Sequence, residues 1–190
     1  MIRKTILSCI AATSLIFFST QAFALVNFSV GVPLSHTFTG KYNDGSEVES
    51  DGVSGTFVQI GVPILPGIGI DSYKTKLKDQ GDIDLETSIY NLYYLLPIPI
   101  INLTIGAGVG STKLSCDGCD SAFDKGSATQ VYASLGFPII PLFDLHLSYR
   151  SVSSKLKNKS GSAEHDFGGN VMGLGTVSYT HLTLPTTPYV

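Results

Sequence analysis

The sequence predicts an all-β protein: an antiparallel, up-and-down transmembrane β-barrel of about eight strands. Apolar residues recur with a period of two along most of the chain, and the opposite face of the same segments is small, polar and nearly uncharged. Long polar segments alternate with short proline-containing turns. Only 14% of the 190 residues are charged, against 43% hydrophobic. Soluble domains carry ~25% charged residues, so this composition favours a membrane protein.

The first 24 residues are organised as a secretory signal. Arg3 and Lys4 precede an apolar run over residues 5–18, and Ala22-Phe23-Ala24 is a small-x-small cleavage signature. The run is shorter than the ~20 residues that span a bilayer as a helix. We expect cleavage after Ala24, with a retained anchor or a lipoprotein box ending at Cys9 as the alternatives. Cleavage removes Arg3 and Lys4 and leaves a chain with more acidic than basic residues. This balance argues against a nucleic-acid partner, because phosphate binding needs a basic surface.

The predicted strands follow from the alternation. Their apolar positions are Val26, Phe28, Val30, Val32 and Leu34; Val58, Ile60 and Val62; Ile68 and Ile70; Ile101, Leu103, Ile105, Ala107 and Val109; Val131, Ala133, Leu135 and Phe137; and Phe143, Leu145, Leu147 and Tyr149. Residues 83–95 are apolar on both parities, which predicts a β-bulge there. A last strand begins within residues 167–175.

The connections are of two kinds. Short turns rich in proline lie at 63–66, 97–99 and 138–141, and longer polar segments lie at 39–52, 75–82, 114–127 and 153–166. Their alternation predicts a meander with one short-turned end and one long-looped end. A secreted β-sandwich is the alternative, but its solvent face requires many charges within the strands, whereas the charges here lie mainly in the long segments.

This pattern resembles the small outer-membrane β-barrel proteins of Gram-negative bacteria, the OmpA/OmpX-like and OmpW-like grouping. The resemblance rests on Ala22-Phe23-Ala24, the glycine-rich strand at 105–110 and the proline turns. It implies the barrel fold and location in the cell outer membrane. We expect a barrel domain over residues 25–176, insertion by the barrel-assembly machinery, a monomer and no cofactor. It does not imply one activity, because such barrels serve as anchors, adhesins, conduits and a few enzymes.

The C-terminal segment departs from that grouping, whose members usually end on an amphipathic strand with a terminal aromatic residue. Residues 177–190 resemble the in-frame translation of a sequencing-library adapter. We therefore expect this segment to be non-native and the natural protein to continue differently after about residue 176. Pro185 and Pro188 also suit a membrane strand poorly.

Cys116-Asp117-Gly118-Cys119 is the sharpest local motif. In an oxidising envelope compartment it predicts a disulfide between Cys116 and Cys119, with Asp-Gly supplying the turn. A metal site and a redox pair are the alternatives. A metal site needs further soft ligands nearby. A redox pair needs a helix N-terminus to lower the pKa of one thiol, and the sequence predicts no helix there.

Four polar residues share one parity on a single predicted strand: Asp144, His146, Ser148 and Arg150. If they face the lumen, Arg150 needs an acidic partner, because an unpaired buried charge is costly. Glu86 and Asp71 are the candidates. His146-Leu147-Ser148 also resembles the His-x-Ser of outer-membrane lipid A deacylases, but Tyr149-Arg150 follow where that family has Asn-Ala, so we expect no catalytic site.

Seven lysines continue the outward parity of predicted strands at the long-loop end. They are Lys74, Lys76, Lys78, Lys113, Lys155, Lys157 and Lys159. At the height of the outer-leaflet phosphates they are candidate contacts to lipopolysaccharide, with ordinary solvated charge as the alternative.

The sequence therefore favours a non-catalytic role in envelope integrity or surface interaction. A narrow conduit for small apolar or amphipathic solutes through a gap between strands is the alternative, and a lipid A-modifying enzyme is the third possibility. No metal site is expected.

Overall fold

The computed structural model describes residues 26–41, 46–62, 65–79, 81, 83–98, 101–140, 143–159 and 164–180. The signal sequence, its cleavage point after Ala24 and residues 181–190 lie outside the described residues. Residues 177–180 of the segment expected to be non-native form the end of the last strand.

The described residues form a closed antiparallel meander, as predicted. The strands are β1 (Val26–Phe38), β2 (Ser50–Gly61), β3 (Gly67–Leu77), β4 (Asp84–Ile98), β5 (Ile101–Ser115), β6 (Gly126–Ile140), β7 (Phe143–Lys157), β8 (Glu164–Asp166) and β9 (Gly169–Thr180). Each strand from β1 to β7 pairs with the next, and β9 pairs with both β7 and β1, which closes the ring. The three-residue β8 pairs with β7 in the same register as β9. The two therefore act as one strand interrupted at Phe167-Gly168, which gives the eight-stranded barrel.

Five strands, besides the short β8, run further towards the long loops than predicted. The strand residues within the predicted polar segments are Ser50–Gly52, Thr75–Leu77, Leu114-Ser115, Gly126-Ser127 and Ser153–Lys157. Their inward side chains keep the alternation, since Leu77, Leu114 and Leu156 are buried inside the barrel. The strands therefore extend beyond the apolar belt on the outer face.

The predicted bulge within residues 83–95 is wrong. β4 pairs with β3 and with β5 without a register shift over these residues. Both parities are apolar because inward Leu85, Ile89 and Tyr93 fill the lumen while outward Tyr90 and Leu92 are exposed. The irregularities lie elsewhere, at Pro33/Ser35 in β1, Ser50/Val53 in β2 and Pro138/Ile140 in β6.

The outer surface carries the predicted apolar belt. Its exposed large side chains include Phe28, Val30, Val32, Leu34, Val58, Ile60, Ile68, Ile70, Tyr90, Leu92, Ile105, Val109, Val131, Leu135, Leu147, Tyr149, Met172 and Leu174. Exposed apolar area on this scale is stable only against lipid or a partner surface. Within the described residues, no helix is long and apolar enough to cross a bilayer.

Candidate functional site

The centre of the lumen contains a buried ion pair between β7 and β3. Arg150 Nε donates to Asp71 Oδ2 at 3.0 Å, and the two side chains are 3% and 0% exposed. The guanidinium lies between two rings, with its carbon 3.6 Å from the centroid of Phe57 and 4.9 Å from that of Tyr132. Cation–π contact and the ion pair together hold the charge in a buried position.

Amides from three other strands complete this central layer. Gln130 Nε2 donates both to Asp71 Oδ2 and to Asn91 Oδ1, the latter at 2.7 Å. Gln59 Nε2 donates to the hydroxyl of Tyr132 at 2.8 Å. The layer therefore links β2, β3, β4, β6 and β7 across the barrel axis. The sequence did not identify Phe57, Gln59 and Gln130 as part of this layer. Alternation along a strand shows which side chains face the lumen, but it does not show at what height along the barrel axis they lie.

Glu86, the other carboxylate considered for Arg150, faces outward and does not enter the lumen. It lies between Lys74 of β3 and Lys113 of β5, and its carboxylate pairs with both, with 2.9 Å to Lys113 Nζ. The prediction of a lumen role for Glu86 is wrong because 86 shares the parity of the exposed Tyr90 and Leu92.

His146 and Asp144 face the lumen nearer the short-turn end. His146 Nδ1 lies 3.1 Å from Ser134 Oγ, and His146 Nε2 lies 3.8 Å from Asp144 Oδ2. Asp144 Oδ2 accepts hydrogen bonds from Asn102 and from Tyr179, the latter at 2.8 Å. Tyr179 belongs to the segment expected to be non-native.

The His146–Ser148 pair considered for catalysis is not formed. Ser148 donates to the carbonyl of Gly173 at 3.2 Å and accepts from Arg150. Ser134, His146 and Asp144 have the residue types of a triad, but the 3.8 Å separation of histidine and carboxylate exceeds the ~2.6–3.2 Å of a working general base. The adjoining cavity measures about 20 Å³, enough for about one water molecule.

The glycines at 106, 108 and 110 line the crowded inner face of β5. A Cβ on Gly106 would lie 2.4 Å from Cε1 of Tyr132, and one on Gly108 would lie 2.1 Å from Oδ1 of Asn91. Their lack of a side chain lets large lumen groups lie against the wall of β5.

Apolar side chains close the lumen at the long-loop end. This lid comprises Phe38, Val48, Leu77, Leu85, Leu114, Cys119, Leu156 and Phe167, with Ile83, Cys116 and Phe123 packed against it. A second apolar layer lies between the lid and the central ion pair and consists of Phe57, Tyr73, Ile89, Ala128, Val152 and Val171. Polar and apolar layers therefore alternate along the axis.

Cys116 and Cys119 form a disulfide in the loop between β5 and β6. Cys119 also begins a short helix, α1 (Cys119–Ala122), that the sequence did not predict. The amide of Lys159 donates to Ala122 and that of Asp124 to Lys157, which ties this loop to the end of β7. Among the described residues, no group of three or more His, Cys, Asp and Glu side chains is placed to hold a metal ion.

The lysines of the long-loop end point outward and face acidic residues on neighbouring strands. In the strand registers Lys76 is opposite Asp84, Lys155 opposite Asp166 and Lys157 opposite Glu164. Lys78 Nζ pairs with Glu49, and Lys159 Nζ lies 3.9 Å from Asp124 Oδ1. The hydrogen bond to Glu49 raises the pKa of Lys78. The lysines therefore lie among acidic residues in a collar above the apolar belt.

No protein-family model matches the sequence, and no curated protein matches it. Solved structures share its fold. Neisserial surface protein A superposes with a TM-score of 0.58 at 12% identity, covering 83% of this chain and 97% of that one. OprG of Pseudomonas aeruginosa gives 0.51 at 11% identity, covering 84% and 97%. Outer membrane protein W of E. coli gives 0.51 at 10% identity, covering 81% and 97%.

These neighbours have the fold of small outer-membrane barrels, and this chain shares it. A closed barrel leaves no unpaired strand edge in hydrocarbon, and the belt presents apolar side chains to lipid. The fold and the belt together are those of a barrel whose outer wall contacts lipid.

Proposed function

We propose that this protein is a closed, non-catalytic outer-membrane barrel that contributes to envelope integrity and presents its long loops at the cell surface. The observation that carries the proposal is the stack of Phe57, Arg150 and Tyr132 across the lumen, held by the ion pair of Arg150 with Asp71. A buried guanidinium fixed on both faces has no low-cost alternative position. The apolar lid adds a second barrier between this layer and the surface.

A non-catalytic role also agrees with the geometry around His146. No serine–histidine–carboxylate set there has hydrogen-bond distances throughout, and the adjoining space holds about one water molecule. A lipid A ester has no room to reach Ser134.

A conduit for apolar solutes is the second candidate, and the seam between β1 and β2 favours it. These strands pair only over Asn27–Gly31 and Phe57–Gly61, whereas β4 and β5 pair over their full lengths. Pro33 has no amide proton to continue the ladder. Because unpaired backbone groups are costly in hydrocarbon, this seam is the part of the wall that separates most easily.

Conductance and uptake in the same vesicles distinguish the two candidates. The full native gene product is refolded into lipid vesicles and planar bilayers, and folding is verified by heat-modifiable gel migration. We expect no ion conductance above that of empty bilayers and no entry of a fluorescent apolar solute. Stepwise conductance overturns the closed barrel. Solute entry without conductance supports the conduit, provided that cross-linking Val32→Cys to Thr56→Cys across the seam abolishes it.

A further inference from the structure

The outward faces of β3, β4 and β5 are aligned into rows across the three strands. From the long-loop end downward, the register gives Lys74–Glu86–Lys113, then Ser72–Ser88–Ser111, then Ile70–Tyr90–Val109, then Ile68–Leu92–Ala107. We call this surface the three-strand track. Its polarity falls in one direction, from charged to hydroxylic to apolar.

The upper end of the track carries two positive charges against one negative charge. Lys74 and Lys113 are 57% and 43% exposed and flank Glu86, which is 21% exposed. The neighbouring lysines differ, because Lys155 and Lys157 each face one carboxylate in register. The row at Glu86 therefore offers an incoming anion two partly exposed ammonium groups side by side.

The serine row lies directly below the charged row. Ser72, Ser88 and Ser111 are all exposed on the outer face. Three hydroxyls side by side offer donors and acceptors at the depth where a charged headgroup passes into acyl chains. Their small size also leaves room for a bulky group to lie against the wall.

The lower end of the track opens into an apolar depression. It measures about 470 Å³, and its lining comprises Pro66, Leu92, Tyr93, Tyr94, Ile105, Gly106, Ala107, Val131 and Tyr132. Ala107 lies opposite Leu92 of β4 and Val131 of β6, so its small side chain leaves space between two larger ones.

The spacing matches the depth of one leaflet. Six residues separate Glu86 from Leu92 on β4, which corresponds to about 20 Å along a strand. A strand tilted by ~40° covers about 15 Å of this along the membrane normal, half of the ~30 Å hydrocarbon core. An acyl chain anchored at the charged row therefore ends in the depression.

We propose that the three-strand track binds one molecule of lipopolysaccharide. A lipid A phosphate lies between Lys74 and Lys113, the acylated sugar lies on the serine row, and one acyl chain runs over Tyr90 and Val109 into the depression beside Ala107. The occupant follows from the track, which requires an anion at the outer-leaflet surface joined to a long apolar chain. The site lies on the outer wall and does not depend on whether the lumen conducts ions. A negative result in the lipid-binding test therefore leaves the proposal of a closed barrel unaffected, and a negative result in the conductance test leaves this proposal unaffected.

Binding is measured on barrel refolded free of lipopolysaccharide in detergent, by native mass spectrometry with purified lipid A. The Lys74→Gln/Lys113→Gln variant should bind roughly 30-fold more weakly, as expected for loss of two lysines at a membrane surface. The matched control, Lys155→Gln/Lys157→Gln, removes the same charge and should bind within about twofold of wild type. Ala107→Phe, which fills the depression, should weaken binding while retaining heat-modifiable migration.

Three further probes define the ligand chemistry. Dephosphorylated lipid A should bind like the lysine variant, and inorganic phosphate and phosphatidylglycerol should not compete with lipid A. The proposal is overturned if both lysine variants lose affinity equally, since that outcome indicates general surface charge. Equal affinity of wild type and Lys74→Gln/Lys113→Gln overturns it as well, as does effective competition by free phosphate.

Discussion

Removal of one partner from the central ion pair should destabilise the barrel far more than removal of both. Arg150→Met leaves the fully buried Asp71 carboxylate with Gln130 as its remaining side-chain donor. Such an uncompensated charge costs about 3–5 kcal/mol. Asp71→Asn leaves the guanidinium stacked on Phe57 and Tyr132 but without its carboxylate, and we expect a loss in the same range.

The double variant Arg150→Met/Asp71→Asn is the sharper test. It leaves no charge in the central layer, and methionine packs well between two aromatic rings. We therefore expect a loss of only about 1–2 kcal/mol, smaller than for either single variant, because the remaining cost is an imperfectly filled polar layer.

The assay is urea unfolding of the refolded barrel in lipid vesicles, followed by the gel shift between folded and unfolded bands. Lys78→Met serves as the control, since its pair with Glu49 is exposed and its removal should leave the unfolding midpoint unchanged. Additive losses, or single variants that match wild type, would show that water reaches the pair and would refute the sealed lumen.

Two further predictions concern the wall and the loop. Gly106→Ala places a methyl group 2.4 Å from Tyr132 Cε1, so the free energy of unfolding in urea should fall by about 1–3 kcal/mol. The control Thr129→Val changes an outward side chain and should leave this free energy unchanged. Equal unfolding midpoints for the two variants would mean that the Tyr132 ring moves aside freely. Cys116→Ser/Cys119→Ser should destabilise by about 2 kcal/mol, the entropy expected for so short a disulfide loop, and reductant should lower the unfolding midpoint of the wild type but not that of the variant.

The alternation of residue types predicted the wall of the barrel well because the wall depends on parity alone. Phe28, Val30 and Val32 could be assigned to the lipid-facing side because they share one parity, and all three are exposed on the outer surface. Proline turns and long polar segments likewise placed the two ends. Local signals of this kind are sufficient for an up-and-down topology, in which each strand pairs with the next.

The lumen could not be predicted to the same depth because its contacts depend on register. Asp71 and Arg150 lie 79 residues apart and meet only because the stagger of β3 and β7 brings them to one height. Glu86 was misplaced because β4 is apolar on both faces, which removes the parity signal. The bulge at Pro33 had a local signal, a proline within an alternating strand, that could have been used.

The layered interior also limits where function can be located. The lid and the layer of Phe57, Tyr73 and Val171 enclose polar residues between apolar ones, so a solute entering from the surface has to displace packed side chains before it reaches Arg150. Displacing each such side chain costs the burial energy of that group, about 1.5–3 kcal/mol. The outer face carries no such cost, since its charged, hydroxylic and apolar rows are already exposed. Selective binding is therefore cheapest at the surface that contacts lipid and at the long loops, and substitutions there should change envelope behaviour while leaving the fold intact.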